Sequence, residues 1–179
     1  PGAPNNMTYA QVIVEAAKKS KVSAIHLAVR LRQEKGTSND ELGKGVSTKD
    51  GSHFYQANGD GNAVYYNFFN IGAAGSGKQT VINNGGKEAK AEGWTSPYLA
   101  IMGGAVKVYT GYIGIGQDTI YFEMFSVVNH KYYYWKQYAQ NLTATLTEGS
   151  KIYETYKNAG LLNSSFVFRI PVYKNMPSS

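Results

Sequence analysis

Cysteine is missing from the 179-residue chain, and its absence excludes disulfides and thiolate metal sites. A cysteine-free chain is compatible with export into an oxidising compartment without establishing it. No apolar run approaches the length of a membrane span, so a soluble globular protein with no membrane insertion is expected. No basic segment followed by an apolar stretch opens the sequence, so any export signal lies outside it. Residues 1–7, "PGAPNNM", read as a linker or an expression remnant. Acidic residues are in the minority, 12 against 18 Lys and Arg, which leaves a net charge of +6 and a pI near 9.3. That excess favours an anionic partner such as nucleic acid, a membrane surface or an acidic cell-wall polymer, although the basic residues are scattered rather than clustered.

Aromatic residues are abundant: 15 Tyr, 7 Phe and 2 Trp. Such rings either fill a core or form a surface on which sugars or bases stack. The length suits one domain with a sizeable core, which places a single domain over residues 8–179. No internal repeat is visible.

The stretch "NIGAAGSGKQT", residues 70–80, matches G-x-x-x-x-G-K through Gly72, Gly77 and Lys78. A phosphate-binding loop then needs a Ser or Thr hydroxyl for magnesium, and Gln79 stands there. It also needs a helix launched from the Lys, whereas "TVINNGGKEAK" puts Asn83, Asn84, Gly85 and Gly86 where the first turns should run. No later strand ending in Asp offers a second metal-holding partner. The stretch therefore reads as a flexible loop and not a nucleotide site.

Tyr9, Val12, Ile13, Ala16 and Ala17 share a face at helical spacing, predicting a first helix over 8–19 with Asn6 or Thr8 as cap. Ala24, Leu27, Ala28 and Leu31 predict a second, buried helix from Ser23, with Gly36 placed to end it. Residues 37–63 are rich in Gly, Ser, Asn and Asp without a period, and read as a long loop or small lobe walling a site. "VYYNFFNI" suggests a short strand or a buried segment. Ser96 and Pro97 open a third long helix, in which Gly103 and Gly104 imply a tightly packed neighbouring backbone. Shorter helices are expected over 118–125, 131–141 and 150–160, and a terminal strand or extended tail over 166–173.

Glu34 lies at i+3 from Leu31 and i+7 from Leu27, so it places a carboxylate in the apolar stripe of the last helical turn. Partial burial and the negative end of the helix dipole both disfavour its anion, as a general acid requires. The alternative is an ion pair with Arg30, four residues earlier, on a solvated helix end. His26, His53 and His130 show no ligand spacing, so no metal or other cofactor is expected, and no nucleophile elbow is evident.

"HLAVRLRQEKG", "YYNFFNIGA", "GWTSPYLAIMGGA", "YIGIGQDTIY", "QYAQNL" and "FVFRIPVYKNMP" follow one another in that order. Together they resemble the catalytic domain of Gram-positive autolysins, the endo-β-N-acetylglucosaminidases of glycoside hydrolase family 73, over residues 8 to 177. The resemblance implies an α+β, predominantly α fold: a lysozyme-like, two-lobed domain with a substrate groove and a small, loop-rich second lobe. It implies a secreted, cell-wall-associated enzyme, monomeric, acting on peptidoglycan glycan strands. The +6 charge would suit anionic wall polymers, and nucleic acid is not an expected partner. The Glu of the "QE" pair, Glu34 here, corresponds to the family's general acid. Tyr66, Asn67 and Asn70 become first choices for sugar contacts, with Gln117 and Tyr138 behind them. Two stretches depart from the family pattern: "NGGKEAKAEGW" carries Gly86 and Glu88 where an apolar and an aromatic residue are usual, and "YWKQYAQNL" lacks the His-Gln-Tyr-Met form of its block.

Glycoside hydrolysis usually employs two carboxyls. Glu41, Asp50 and Asp60 lie in the loop-rich segment, and Asp60 is marginally preferred among them as the second because it stands nearest "YYNFFNI"; the reading favoured for each is a turn residue. Alternatively the 2-acetamido oxygen of N-acetylglucosamine attacks the anomeric carbon itself, and one protein acid suffices. Other readings are a muramidase or lytic transglycosylase on the same scaffold, and a noncatalytic wall-binding module.

Overall fold

Residues 6–35, 41–129, 131, 133, 134, 137, 143–165, 167 and 169–175 are described by the computed structural model. The chain divides into two units, residues 1–110 and 111–179. In the first, Thr8 caps helix α1 (Tyr9–Ser20) through a reciprocal pair: its Oγ1 accepts from the Gln11 N–H, and the Gln11 side chain accepts from the Thr8 N–H at 2.8 Å. This satisfies two of the amides that a helix start leaves unpaired. Lys21, left-handed at φ 62°, ends the helix. Helix α2 (Ala24–Lys35) packs against α1 and buries Leu27, Val29 and Leu31, as expected of a buried helix. Gly36 lies outside the described residues.

The segment read as an irregular loop carries regular structure. Helix α3 (Glu41–Lys44) leads into strands β1 (Val46–Ser47) and β2 (Tyr55–Gln56), and β3 (Val64–Tyr65) completes an antiparallel sheet in the order β2-β1-β3. Val46 stands opposite Gln56 on one side and Tyr65 on the other. Two-residue strands are too short to show a period of two, so composition alone masked them. Leu42, Val46, Phe54 and Ile82 form the core beneath this sheet, with Tyr65 and Ala73 against it.

The larger correction is helix α4 (Lys78–Ala91), which starts at the residue where no helix was expected and runs through the Asn-Asn-Gly-Gly stretch. Tertiary partners override the low helix propensity of all four residues. Asn83 Oδ1 accepts from the Phe54 N–H at 2.8 Å, and Asn84 Nδ2 donates to the Ala74 carbonyl at 2.6 Å. Gly85 lies against Leu42 and Ala73, and a β-carbon on Gly86 would stand 2.5 Å from the Phe54 ring. The glycines are there because side chains from α3, from the residue before β2 and from the turn before α4 occupy the space.

Helix α5 (Pro97–Gly111) follows its prediction, with the Leu99 N–H donating to Ser96 Oγ at 3.2 Å. Gly103 and Gly104 face the Trp94 indole and the Phe69 ring, so the close neighbours are aromatic side chains and not the expected backbone. In the second unit a 3₁₀ turn at Ile113–Ile115 precedes α6 (Ile120–Met124), which packs against α7 (Ala144–Asn158). Helix α7 begins six residues before its expected start at 150. The helix expected over 131–141 lies mostly outside the described residues, as do Phe166 and Phe168 of the expected terminal strand; the described residues from 167 to 175 form no strand.

Gly86→Ala should lower stability by about 1–3 kcal/mol through overpacking against Phe54. Gly149 in α7 has no atom near its missing β-carbon, and Gly149→Ala should raise stability by about 0.5–1 kcal/mol. Urea unfolding of the two variants checks the contrast.

Candidate active site

Glu34 occupies the last turn of α2, where the buried Leu27 and Leu31 place it on a half-buried face. Asn70 Nδ2 donates to Glu34 Oε2 at 2.6 Å, joining residues 36 positions apart. Arg30, the alternative partner, is only 2% exposed and sends Nη1 toward Gln33 Oε1 at 3.4 Å. The Arg30 side chain is therefore buried and not solvated.

The segment carrying Asn70 is built to hold a shape. Its anchor is Asn67, 1% exposed, whose Nδ2 donates to the carbonyls of Ile71 (2.8 Å) and Gly85 (3.1 Å) while Oδ1 accepts from the Ile71 N–H at 3.0 Å. Its backbone N–H reaches the Leu42 carbonyl at 2.9 Å, and that of Tyr66 reaches Trp94 at 2.9 Å. Between these ties and α4 the chain turns sharply: Asn70 is left-handed at φ 50°, and Gly72 follows at φ 71°. Asn tolerates that region better than most residues with a β-carbon.

The glycine-lysine stretch thus forms a scaffolded turn, not the flexible loop expected, and its Lys and Gln have structural partners. Lys78 Nζ pairs with Glu41 at 2.5 Å, and Gln79 Nε2 donates to the Phe54 carbonyl at 2.7 Å. The bond from Lys78 holds the Glu41 carboxyl below its ordinary range. A helix does leave Lys78, but the only strands among the described residues are the short antiparallel ones. A phosphate-binding loop is fed by a strand that this fold lacks there.

The remaining site candidates separate. Asn67, expected to touch sugar, is buried with its amide fully engaged by backbone, so its place is inside the turn. Gln117 is likewise buried, its Nε2 donating to the Phe122 carbonyl at 2.7 Å. Tyr138 lies outside the described residues. Tyr66 is half-buried with its ring across Gly45, where a β-carbon would approach Cε1 to 2.9 Å. Asp60 sits in the exposed β2–β3 turn: Oδ2 accepts from the Tyr55 hydroxyl at 2.8 Å and Oδ1 from the Asn62 N–H at 3.1 Å. Those bonds, the Tyr55 hydroxyl foremost, lower its proton affinity below that of an ordinary Asp. Asp50 is held lower still by the His53 and Ser52 amides. Among the described residues no group of three or more His, Asp or Glu could hold a metal ion, and no helix is long and apolar enough to cross a membrane.

No protein-family model matches the chain. It is 30% identical over 160 residues to the bifunctional autolysin of Staphylococcus epidermidis, a match covering 89% of this chain and 11% of that protein. Among solved structures, autolysin E of S. aureus in complex with a muropeptide superposes with a TM-score of 0.64 at 29% identity, over 84% of this chain and 60% of the other. A catalytic glutamate-to-alanine mutant of the same autolysin in complex with the disaccharide NAG-NAM gives 0.62 at 30% identity, over 84% and 60%. Glucosaminidase B of S. aureus gives 0.59 at 28%, over 83% and 52%. The chain is homologous to the autolysin glucosaminidases. It spans only a small part of the curated relatives it matches, and its mostly helical fold with a small sheet matches that of the solved autolysin structures.

Two features of this autolysin homologue were not visible in its sequence. The Asn70–Glu34 bond is one, because nothing local links the two positions. The other is Tyr9, whose ring centroid lies 6.0 Å from that of Phe68 and whose hydroxyl is pushed above its ordinary pKa by partial burial and by the neighbouring Tyr66. Tyr9 was assigned to a core face, yet it belongs with the aromatic side chains of the "YYNFF" stretch. The homologue's departures in "NGGKEAKAEGW" also have structural reasons: Gly86 admits Phe54, and Glu88 pairs with Lys107 at 3.1 Å. Asn67→Ala should lower unfolding free energy by about 1–3 kcal/mol, since buried backbone groups lose their partners. Denaturant melts read this directly; unchanged stability with weakened sugar binding would return Asn67 to a sugar-contacting role.

Proposed function

We propose that this chain is a peptidoglycan hydrolase domain that cleaves the β-1,4 bond on the reducing side of N-acetylglucosamine in cell-wall glycan strands, with Glu34 as the proton donor. The observation that carries this reading is the half-buried Glu34 carboxyl, held by Asn70 in a chain homologous to autolysin glucosaminidases. Burial and the C-terminal end of α2 disfavour the carboxylate, whereas the Asn70 N–H favours it. Their balance is what a group needs if it is to give up a proton and later take one back near neutral pH.

On this reading the catalytic domain spans residues 8–179, is secreted and works at the wall, where a net charge of +6 draws it toward anionic polymers. Tyr66, beside Tyr9, contributes an aromatic surface for the sugar. Asp60 is a turn-holding carboxylate: its hydrogen bonds make it a weak proton acceptor, which favours the route needing no second carboxyl. The acetamido carbonyl oxygen forms a bond to the anomeric carbon as the glycosidic bond breaks, and Glu34 protonates the departing oxygen. Water then opens the cyclic intermediate and returns a proton to Glu34. Anomeric configuration is retained.

Borohydride reduction of digested peptidoglycan followed by mass spectrometry should find reduced N-acetylglucosamine at the new ends. Anhydro-muramoyl or reduced muramic ends would overturn the bond assignment in favour of a transglycosylase or a muramidase. Glu34→Gln should fold normally and lose about 100- to 10,000-fold in rate; wall binding by the parent protein without any clearing would indicate a noncatalytic module. Asp60→Asn should retain hydrolysis within about twofold of the parent, whereas a folded but inactive variant would make Asp60 the base of an inverting mechanism.

A further inference from the structure

We infer that Tyr55 is a further substrate-binding residue, a platform for the apolar face of a sugar that lies beyond the one at Tyr66; the assignment rests on the reading of the chain as a glycan hydrolase. The small sheet has two faces. Val46, Phe54 and Tyr65 belong to the inner one, where Leu42 and Ile82 join them in the core. Side chains alternate along a strand, so Gly45, Ser47, Tyr55, Val64 and Tyr66 share the outward face. Ser47 stands opposite Tyr55 on one side and Val64 on the other, which sets the three abreast. The middle strand and the residue before it offer only small groups there. A β-carbon on the buried Gly45 would stand 2.7 Å from Val64 Cγ1 and 2.9 Å from Tyr66 Cε1. Tyr55, Val64 and Tyr66 are half-buried, so each rests on the sheet and keeps part of its surface for solvent or a ligand.

Tyr66 marks the near end of this face, since it precedes by four residues the Asn70 whose amide meets Glu34. Two strand spacings, about 10 Å, separate Val64 from Tyr55, so a glycan held at Tyr66 reaches Tyr55 only with a further sugar. The Tyr55 ring is also held in place. Its hydroxyl donates to Asp60 Oδ2 at 2.8 Å and accepts from Asn62 Nδ2 at 3.0 Å. The turn that supplies both is itself tied, with the Asp60 N–H on Asn58 Oδ1 and the Asn62 N–H on Asp60 Oδ1. Partial burial and the Asp60 carboxylate push the Tyr55 hydroxyl above its ordinary pKa, while that hydroxyl lowers Asp60, so donor and acceptor keep these states through neutral pH. An aromatic ring tethered at its far end loses little further freedom when a sugar stacks on it. Asp60 and Asn62 thereby serve the substrate through Tyr55, without a proton transfer.

The test is calorimetric binding of N-acetylglucosamine oligomers, a disaccharide and a hexasaccharide, to the Glu34→Gln protein with and without Tyr55→Ala or Tyr55→Phe. Tyr55→Ala should weaken the hexasaccharide about tenfold, as loss of one stacking ring does, and leave the disaccharide and the Tm unchanged. Tyr55→Phe keeps the ring without its tether and should fall between the two. With Glu34 intact, Tyr55→Ala should raise KM for long strands at unchanged kcat. Equal hexasaccharide affinity with and without the Tyr55 ring overturns the assignment. Equal losses at both lengths also overturn it: with a lowered Tm the ring supports the sheet, and with an unmoved Tm it belongs to the sugar site at Tyr66. Failure of the protein with Tyr55 intact to bind either oligomer would sink the glycan reading and this assignment with it, whereas tight binding indifferent to Tyr55 would sink this assignment alone. Should Glu34→Gln still hydrolyse, the acid assignment falls and Tyr55 is judged from KM.

Discussion

The turn after β3 depends on the Asn67 amide. Asn67 is one residue with three side-chain bonds to backbone, and those bonds join the start of the turn, its far side and the middle of α4. Buried amides that are fully paired specify one arrangement, since any alternative leaves a donor or acceptor without water or partner. The turn that carries Asn70, whose amide meets Glu34, follows from that pairing. The surroundings of Glu34 are thus set by the segment facing it as well as by α2, which carries it.

Close approach is the second theme. Helices α4 and α5 each carry a glycine pair in their interiors, and each pair faces large side chains: Leu42 and Phe54 in one case, Trp94 and Phe69 in the other. Glycine lowers helix propensity by roughly 1 kcal/mol relative to Ala, which burial of an aromatic ring offsets. Lys107 adds a polar tie between the two helices, reaching Glu92 at 2.7 Å and Glu88 at 3.1 Å. These partly exposed pairs contribute little beside the packed rings.

Much of this was legible from residue order. The Thr8 cap, the buried second helix and the Ser96-Pro97 start are local signals, and each leaves its mark within four residues. The half-buried setting of Glu34 was also legible, because a carboxylate in an apolar stripe stands out. Helix α4 was not, since its glycines and asparagines read as breakers until Leu42, Phe54 and Ala74 are seen to meet them. Strands β1 and β2 escaped because they are shorter than any periodicity, whereas β3 falls where "VYYNFFNI" suggested a short strand. Asn67 and Asn70 were both expected to touch sugar, since sequence cannot separate an amide that faces a ligand from one that faces the protein's own backbone or side chains. Asp60 shows the same ambiguity: nearness in sequence to an aromatic stretch says nothing about the Tyr55 hydroxyl that engages it.

The contact between Gly86 and Phe54 constrains how such chains can diverge. Bulk is shared between these two positions, and the ring takes nearly all of it here. A lineage that enlarges position 86 must shrink position 54 in the same step or soon after, so the two should drift as a pair. The glycine at 86 thus hands its space to a ring in the segment leading into the sheet.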